Sequence, residues 1–348
     1  LVFFIYVVSA INSTTDSAFL NDRIRMKLPF LFLPFAFSVF ANNISALQYR
    51  LLIFLFMILS FVTAIFITFD FYSDYIDIVN SYNHGHTVET PFSHVRYSLM
   101  IAFSIICGAY LFFKRFFLFY HWERWLILAA TLFLIFFQHL LAIRSGILAL
   151  YLCAGWFLLD QGFRKKNLKA SLLIGFILLL APLAAYLLLP SVQMKVNYMR
   201  VDLKELLVKG NASYSDGGRI LSIQKGLEIL KEHPFTGSGI GDLQTEMKVK
   251  LENSTENPND VLLPHNQFVF IAAGTGIFGL LVFIAAVFLP LFSKKHLRNP
   301  LFVCFNIILI SSFLTEPTIE EQIGTSFYLM FLLLIYVFVL FNDDEGSL

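Results

Sequence analysis

The chain has 348 residues, 57% of them hydrophobic and only 14% charged, with 41 phenylalanines and a formal net charge of +1. A soluble domain runs at about 45–50% apolar and about 25% charged, so a water-soluble globular fold is excluded for most of this chain. A charge balance this close to zero, with no basic block, gives no footing for a nucleic-acid partner.

In chain order, residues 2–11 are apolar but too short to span a bilayer and lack the basic start and small-residue cleavage site of a signal peptide. They read as the tail of a helix whose beginning lies upstream, which makes the sequence an expected fragment. Apolar runs suited to membrane helices follow at 27–41, 50–69, 97–113, 125–140, 145–159, 170–189, 267–292, 300–314 and 326–341. A span takes about 20 apolar residues. With the opening stub, the hydropathy pattern predicts about ten membrane helices and an all-α, polytopic transmembrane bundle. Three segments are expected: N-terminal helices in 1–124, a core in 125–292, and C-terminal helices with a short tail in 293–348. Cys107, Cys153 and Cys304 each fall inside an apolar run and read as small buried hydrophobes.

Lys and Arg in short connections set the expected orientation. Lys114, Arg115 and Arg124 share one connection; Arg164, Lys165, Lys166 and Lys169 another; Lys294, Lys295 and Arg298 a third. Counting helices puts all three on one side, the expected cytoplasmic side. The opposite side then receives 70–96, the turn at Arg144, the long loop 190–264 and the acidic loop 315–324. Arg23, Arg25 and Lys27 depart from the rule, because the same count puts them outside.

The loop 190–264 exceeds the length that compact proteins leave without a task. Ile220, Ile223, Leu227 and Leu230 recur at helical spacing and predict one amphipathic helix. Gly237, Gly239 and Gly241 form a turn-rich stretch, with no preceding strand to make it a dinucleotide fingerprint. Residues 242–251 suggest a second short helix, and 253–260 are polar and turn-prone.

Three residues on the expected outer side are suited to anion and proton chemistry. Arg144 lies between two apolar runs, where a charge is costly, up to about 2.5–3.5 kcal/mol at a helix centre and less near an end. It either snorkels to the interface or holds an anion. Arg219 precedes the amphipathic helix, where a guanidinium and a helix N-terminus together suit a phosphate; taken alone it also reads as a solvated surface arginine. His265 follows Pro264 at the start of an apolar helix, where the helix dipole disfavours the imidazolium and leaves a neutral base. A polar interface residue is the plain alternative. Arg96 ends the other outer loop and extends a basic rim. His84, His86 and His94 crowd that loop without an acidic or Cys partner for a metal. Glu316, Glu320 and Glu321 read as a solvated acidic turn, or as a group that orients a base or acceptor.

Taken in order, these pieces form a pattern. It runs through Ala142-Ile143-Arg144-Ser145-Gly146, Gly218-Arg219, Gly226-Leu227-Glu228-Ile229-Leu230 and His233-Pro234-Phe235-Thr236-Gly237-Ser238-Gly239-Ile240-Gly241. It continues through His265-Asn266-Gln267-Phe268 and Gly274-Thr275-Gly276-Ile277-Phe278-Gly279-Leu280. The ordered set resembles the O-antigen ligase and polymerase superfamily over about residues 125–292. The resemblance implies a multi-pass enzyme of the bacterial inner membrane. Such an enzyme moves a glycan from undecaprenyl diphosphate to an acceptor hydroxyl at the periplasmic face, in ligases a sugar of the lipid A core. It implies Arg144 and Arg219 on the diphosphate, His265 as the base, a supporting role for Glu316 or Glu320, and an inverting displacement with no metal or other cofactor; Arg96 is a candidate support by its position alone. Three alternatives share some of these features: an O-antigen or capsule polymerase, a protein O-oligosaccharyltransferase, and, from a different class, a transporter. Transporters place ionisable residues near the membrane midplane; here the polar residues gather at one face.

Overall fold

The computed structural model describes residues 1–14, 16–40, 43–82, 88–209, 215–251 and 262–341. The architecture is all-α, with no strand among the described residues. In chain order the helices are α1 Val2–Ser9, α2 Ser17–Lys27, α3 Pro29–Phe40, α4 Ala46–Ser73, α5 Tyr75–Tyr82, α6 His94–Phe113, α7 Glu123–Leu141 and α8 Arg144–Leu159. They continue with α9 Leu168–Leu188, α10 Pro190–Lys209, α11 Ser215–Glu232, α12 Leu243–Leu251, α13 Gln267–Phe288, α14 Pro300–Thr315 and α15 Gln322–Phe341.

Among the described residues each of the ten apolar runs forms helix, and seven helices there are long and apolar enough to cross a membrane. These are α4, α6, α7, α8 with its π-helical extension to Arg164, α9, α13 with a 3-10 extension to Phe292, and α15. The other three runs give α1, α3 and α14 with 8, 12 and 16 residues. At about 1.5 Å rise per residue they fall short of a hydrocarbon core about 30 Å thick. Pro34 also interrupts α3. The chain is a multi-pass membrane protein.

The long loop is more helical than its sequence pattern suggests. Besides α11 and α12 it contains the 20-residue α10, whose polar composition gives no clean apolar stripe. His84, His86 and residues 253–260 lie outside the described residues.

The chain divides into two compact units. One comprises Leu1–Asn42, Met199–His296 and Ser312–Val337; the other comprises Asn43–Tyr198, Leu297–Ser311 and Phe338–Leu348.

In the second unit α4 starts with a capping box. The Gln48 N–H donates to Ser45 Oγ (3.2 Å) and the Ser45 N–H donates to Gln48 Oε1 (2.9 Å), satisfying donors that the helix start leaves open. Tyr49, Ile53, Met57, Ser60, Ala64, Ile67 and Phe71 are buried at three- and four-residue spacing, so one stripe of α4 packs inward and the rest faces outward. Gly108 lets α6 approach α7, since a Cβ there would lie 2.2 Å from Thr131 Oγ1. The turn from α7 to α8 passes through Ala142 at φ 52°. Cys107, Cys153 and Cys304 are all buried free thiols, as their apolar surroundings predict. On α9, Leu172, Leu173, Phe176, Leu179 and Leu183 are exposed, a surface that suits lipid as the solvent.

In the first unit α13 is broken. Gly276 has φ 68° and ψ −170°, a region essentially reserved for glycine, inside an otherwise helical segment. The 234–239 turn docks on that break. The Ser238 N–H donates to the Ala273 carbonyl (2.9 Å), the Gly239 N–H to the Gly274 carbonyl (3.0 Å), and the Ile277 N–H to the Pro234 carbonyl (2.9 Å). Backbone groups released by the break thus find partners, as buried amides require. The approach is close enough that a Cβ on Gly237 would lie 2.3 Å from the Thr275 nitrogen. A Cβ on Gly276 would lie 2.3 Å from the Phe235 carbonyl. The N-terminal segment covers the far side of the same turn: the Ile240 N–H donates to Ser9 Oγ (2.7 Å) and Asp242 Oδ2 accepts from the Thr14 N–H (2.8 Å).

Candidate active site

The first unit brings together Arg219, His265 and Glu316. The 18-residue α11 carries Arg219 in its second turn and Ser222 one turn further on. Its packing face differs from the expected one. Ser222, Gly226 and Ile229 are buried, whereas Ile220 and Leu227 are exposed. The reason is close approach. Gly226 admits Pro264 and Val269, and a Cβ there would meet Val269 Cγ1 at 2.8 Å and Pro264 Cγ at 2.9 Å.

The contact with Pro264 delivers His265 to Ser222. The His265 N–H donates to Ser222 Oγ (3.1 Å), and the same oxygen lies 3.2 Å from His265 Nδ1. The Ser222 hydroxyl donates to the Arg219 carbonyl (2.8 Å). Ser222 therefore ties the arginine's backbone to the histidine's ring. Neither Ser222 nor its spacing to Arg219 is singled out by the sequence pattern; the available signal is its place three residues after Arg219 on one helix face.

The residues after His265 anchor α13. Asn266 caps the helix, accepting from the Val269 N–H (3.0 Å), and its amide donates to the Leu314 carbonyl (3.1 Å). Gln267 is buried; its oxygen accepts from the Ile319 N–H (3.0 Å) and its nitrogen donates to Glu320 Oε1 (2.8 Å). The 314–320 loop is thereby fixed against the start of α13, and Arg219 Nη2 donates to Glu316 Oε1 across 2.9 Å.

Glu320 corrects the reading of a solvated acidic turn, since its side chain is only 3% exposed. Tyr6 Oη donates to it, Lys27 Nζ lies 3.2 Å away and Arg23 Nη1 3.7 Å away. Lys27 also donates to the Ile319 carbonyl and Arg23 to the Glu320 carbonyl. Arg23 and Lys27, which depart from the charge rule as loop residues, are thus ion-pairing groups held by Glu320. Burial rather than loop position accounts for their side, because charges out of water need partners. Arg25 is exposed and pairs with Asp22 at 2.7 Å. The signal for this cluster in the sequence was an acidic residue between apolar runs with no basic neighbour.

The second unit holds Arg96 and Arg144. Arg96 lies in the first turn of α6 and is buried; Arg144 opens α8 and is exposed. These helices touch just beyond the two arginines, where a Cβ on Gly146 would lie 2.7 Å from Ser98 Cβ. Both guanidinium-bearing residues therefore belong to one end of this unit, at two helix N-termini, an arrangement suited to anions. His94 begins the same helix as Arg96.

Residues 128–284 match a family model described as O-antigen ligase. Arg144, Arg219, Ser222, His265 and both elements of the glycine turn lie inside that match, whereas Arg96, Glu316 and Glu320 lie outside it. No curated protein matches the chain. The matched region 128–284 overlaps the stretch picked out by the motifs and supports a likeness to the O-antigen ligase superfamily of membrane glycosyltransferases.

Proposed function

We propose that the protein transfers a glycan from undecaprenyl diphosphate to an acceptor hydroxyl, as an O-antigen ligase acting on lipid A core at the periplasmic face of the inner membrane. The observation that carries this reading is His265 held by Ser222 on the helix that bears Arg219. Ser222 has one proton. With that proton on the Arg219 carbonyl, its oxygen accepts from both the N–H and Nδ1–H of His265. The imidazole then carries its lone pair on Nε2, the tautomer a general base requires.

In the proposed step the acceptor oxygen attacks the anomeric carbon while Nε2 takes its proton. The new C–O bond forms as the bond to the diphosphate oxygen breaks, and the electron pair leaves with the diphosphate. A single displacement inverts the anomeric centre. Arg219 and Arg144 stabilise the charge gained by the leaving group, the kind of preorganised donor that lowers such barriers. Glu316 holds the Arg219 guanidinium in place before the donor arrives. Neutralisation by guanidinium needs no metal, so transfer is expected to persist in excess EDTA.

The test is transfer in vitro by the purified chain, given undecaprenyl-diphosphate-linked glycan and, separately, lipid A core, a second carrier-linked repeat unit and a protein acceptor. Product only with lipid A core supports ligation. Product only with the repeat unit makes the protein a polymerase, and with the protein acceptor an oligosaccharyltransferase. Undiminished transfer by His265→Ala sinks the assigned base.

A further inference from the structure

A hollow of about 540 Å³ opens in the second unit between α4 and α7, and none of the candidate active-site residues lines it. That volume falls within the range of ligand-binding cavities, about 300–1,000 Å³. Phe54, Phe61 and Ile65 line one wall, Ala130 and Phe133 the other, and Phe116 lines the end next to the α6–α7 turn. The alanines at 129 and 130 create the space, because they stand where the neighbouring positions carry large side chains. The hollow has a direction. Phe54 meets Phe116 at its mouth (ring centroids 5.5 Å apart), and Phe61 meets Phe133 deeper in (5.4 Å). From Phe54 to Ile65 the helix rises about 16 Å.

The mouth is the α6–α7 turn, and its charge differs from that of the walls. Lys114 and Arg115 directly precede the lining residue Phe116, Arg124 follows the lining residue Glu123, and Arg124 rests over the Trp125 ring at 5.0 Å. Glu123 is the acidic residue of the turn. Its carboxylate accepts from the N–H groups of Leu118 (2.7 Å) and Tyr120 (3.0 Å), so its charge is directed at the turn's own backbone. Phe119, Tyr120, Trp122 and Trp125 are exposed around the same turn. Exposed aromatics beside basic residues at the end of a membrane helix are the composition of a bilayer interface, and clustered Lys and Arg there attract anionic headgroups.

We propose that this hollow seats an acyl chain of an anionic phospholipid whose phosphate is met by Lys114, Arg115 and Arg124. The complementarity of the two halves selects the occupant. An apolar channel of this length fits a lipid tail, and a basic mouth fits an anionic head rather than a zwitterionic one. The site is separate from the glycan donor's. The turn and Arg144 stand at opposite ends of the 19-residue α7, about 28 Å apart along the helix.

The experiment uses the full chain in nanodiscs with phosphatidylglycerol carrying a diazirine in its acyl chain, compared with the same label on phosphatidylcholine. Phosphatidylglycerol is expected to label residues 54–65 and 126–133 about fivefold more than phosphatidylcholine does. Lys114→Gln with Arg115→Asn is expected to abolish the preference. Asparagine suits position 115 because Arg115 has φ 52°. Ala130→Trp, which fills the hollow, is expected to cut labelling there about fivefold or more while labelling elsewhere persists. Should that variant misfold, competition on the native chain decides: unlabelled phosphatidylglycerol displaces the probe and phosphatidylcholine does not. Equal labelling by the two lipids, or labelling of the hollow unchanged by a folded Ala130→Trp, overturns the proposal.

Discussion

Ser222 Oγ stands 3.1 Å from the backbone nitrogen and 3.2 Å from Nδ1 of His265, so one hydroxyl fixes both the start of α13 and the tautomer of its histidine. Removing that oxygen takes a hydrogen-bond partner from the imidazole and from the backbone at the start of α13. Ser222→Ala is expected to lower kcat about tenfold, the value of one lost hydrogen bond, with donor KM little changed. Ser222→Thr keeps the oxygen and is expected to retain most activity. His265→Ala should lose about 100-fold or more, the usual contribution of a general base. Steady-state transfer assays across pH check the set; a Ser222→Ala enzyme with an unaltered pH profile and rate would remove Ser222 from the mechanism.

Glu316 occupies the guanidinium that the proposed donor needs. At 2.9 Å it competes with a diphosphate for Arg219 while also aiming the side chain. Glu316→Gln keeps the shape and removes the charge, so donor KM is expected to fall about threefold at low salt, the value of a modest, partly exposed pair. Arg219→Ala is expected to raise donor KM and lower kcat together. Titration of the donor against each variant distinguishes these outcomes, and a raised KM in Glu316→Gln would show that the carboxylate's aim outweighs its competition.

The glycine turn and the break in α13 fit only without side chains. Gly276→Ala places a Cβ 2.3 Å from the Phe235 backbone in a conformation costing about 1–3 kcal/mol for an ordinary residue. A total loss of about 2–4 kcal/mol is expected, read as a lowered unfolding midpoint in detergent. Gly155→Ala is the matched control, because nothing lies within 4 Å of the added Cβ. Equal midpoints for the two variants would contradict the docking of the turn.

Lys27 and Glu320 form an enclosed pair, and removing Lys27 leaves the buried carboxylate with only Arg23, at 3.7 Å, as a cation. Lys27→Met is expected to cost about 3–5 kcal/mol. Lys27→Met with Glu320→Gln is expected to cost less than the sum of the single changes, with a coupling of about 1–3 kcal/mol. A double-variant cycle of unfolding midpoints measures it, and strict additivity would show that the pair is not energetically coupled.

His296, between α13 and α14, is buried, which holds its imidazole below the ordinary range; the Tyr336 carbonyl, at 2.9 Å, pulls the other way, and Lys295 adds to the lowering. Its ring also stacks on Tyr336 at 4.0 Å. The folded chain thus holds fewer protons here than the unfolded chain. Stability is full above the ordinary imidazole range, near pH 6.5, and falls as pH drops through it. Melting between pH 8 and pH 5 is expected to show that decline, and His296→Phe is expected to flatten it.

Composition and hydropathy alone determined the class. Long apolar runs demand lipid, and lipid demands helices, so every run proved helical. Ordered local motifs pointed to Arg144, Arg219, His265 and the glycine turn as candidates, because each motif depends on residue types a few positions apart. Side chains that meet from far along the chain stayed out of reach: Tyr6 and Lys27 on Glu320, 314 and 293 positions away, or Ser222 on His265, 43 positions away. A single sequence ranks no such pairing over another, since any charge can pair with many partners until packing selects one. Packing also chose which face of α11 turns inward. The glycine at 226, which permits close approach to Pro264 and Val269, decided that contact, and the apolar spacing of Ile220 and Leu227 did not.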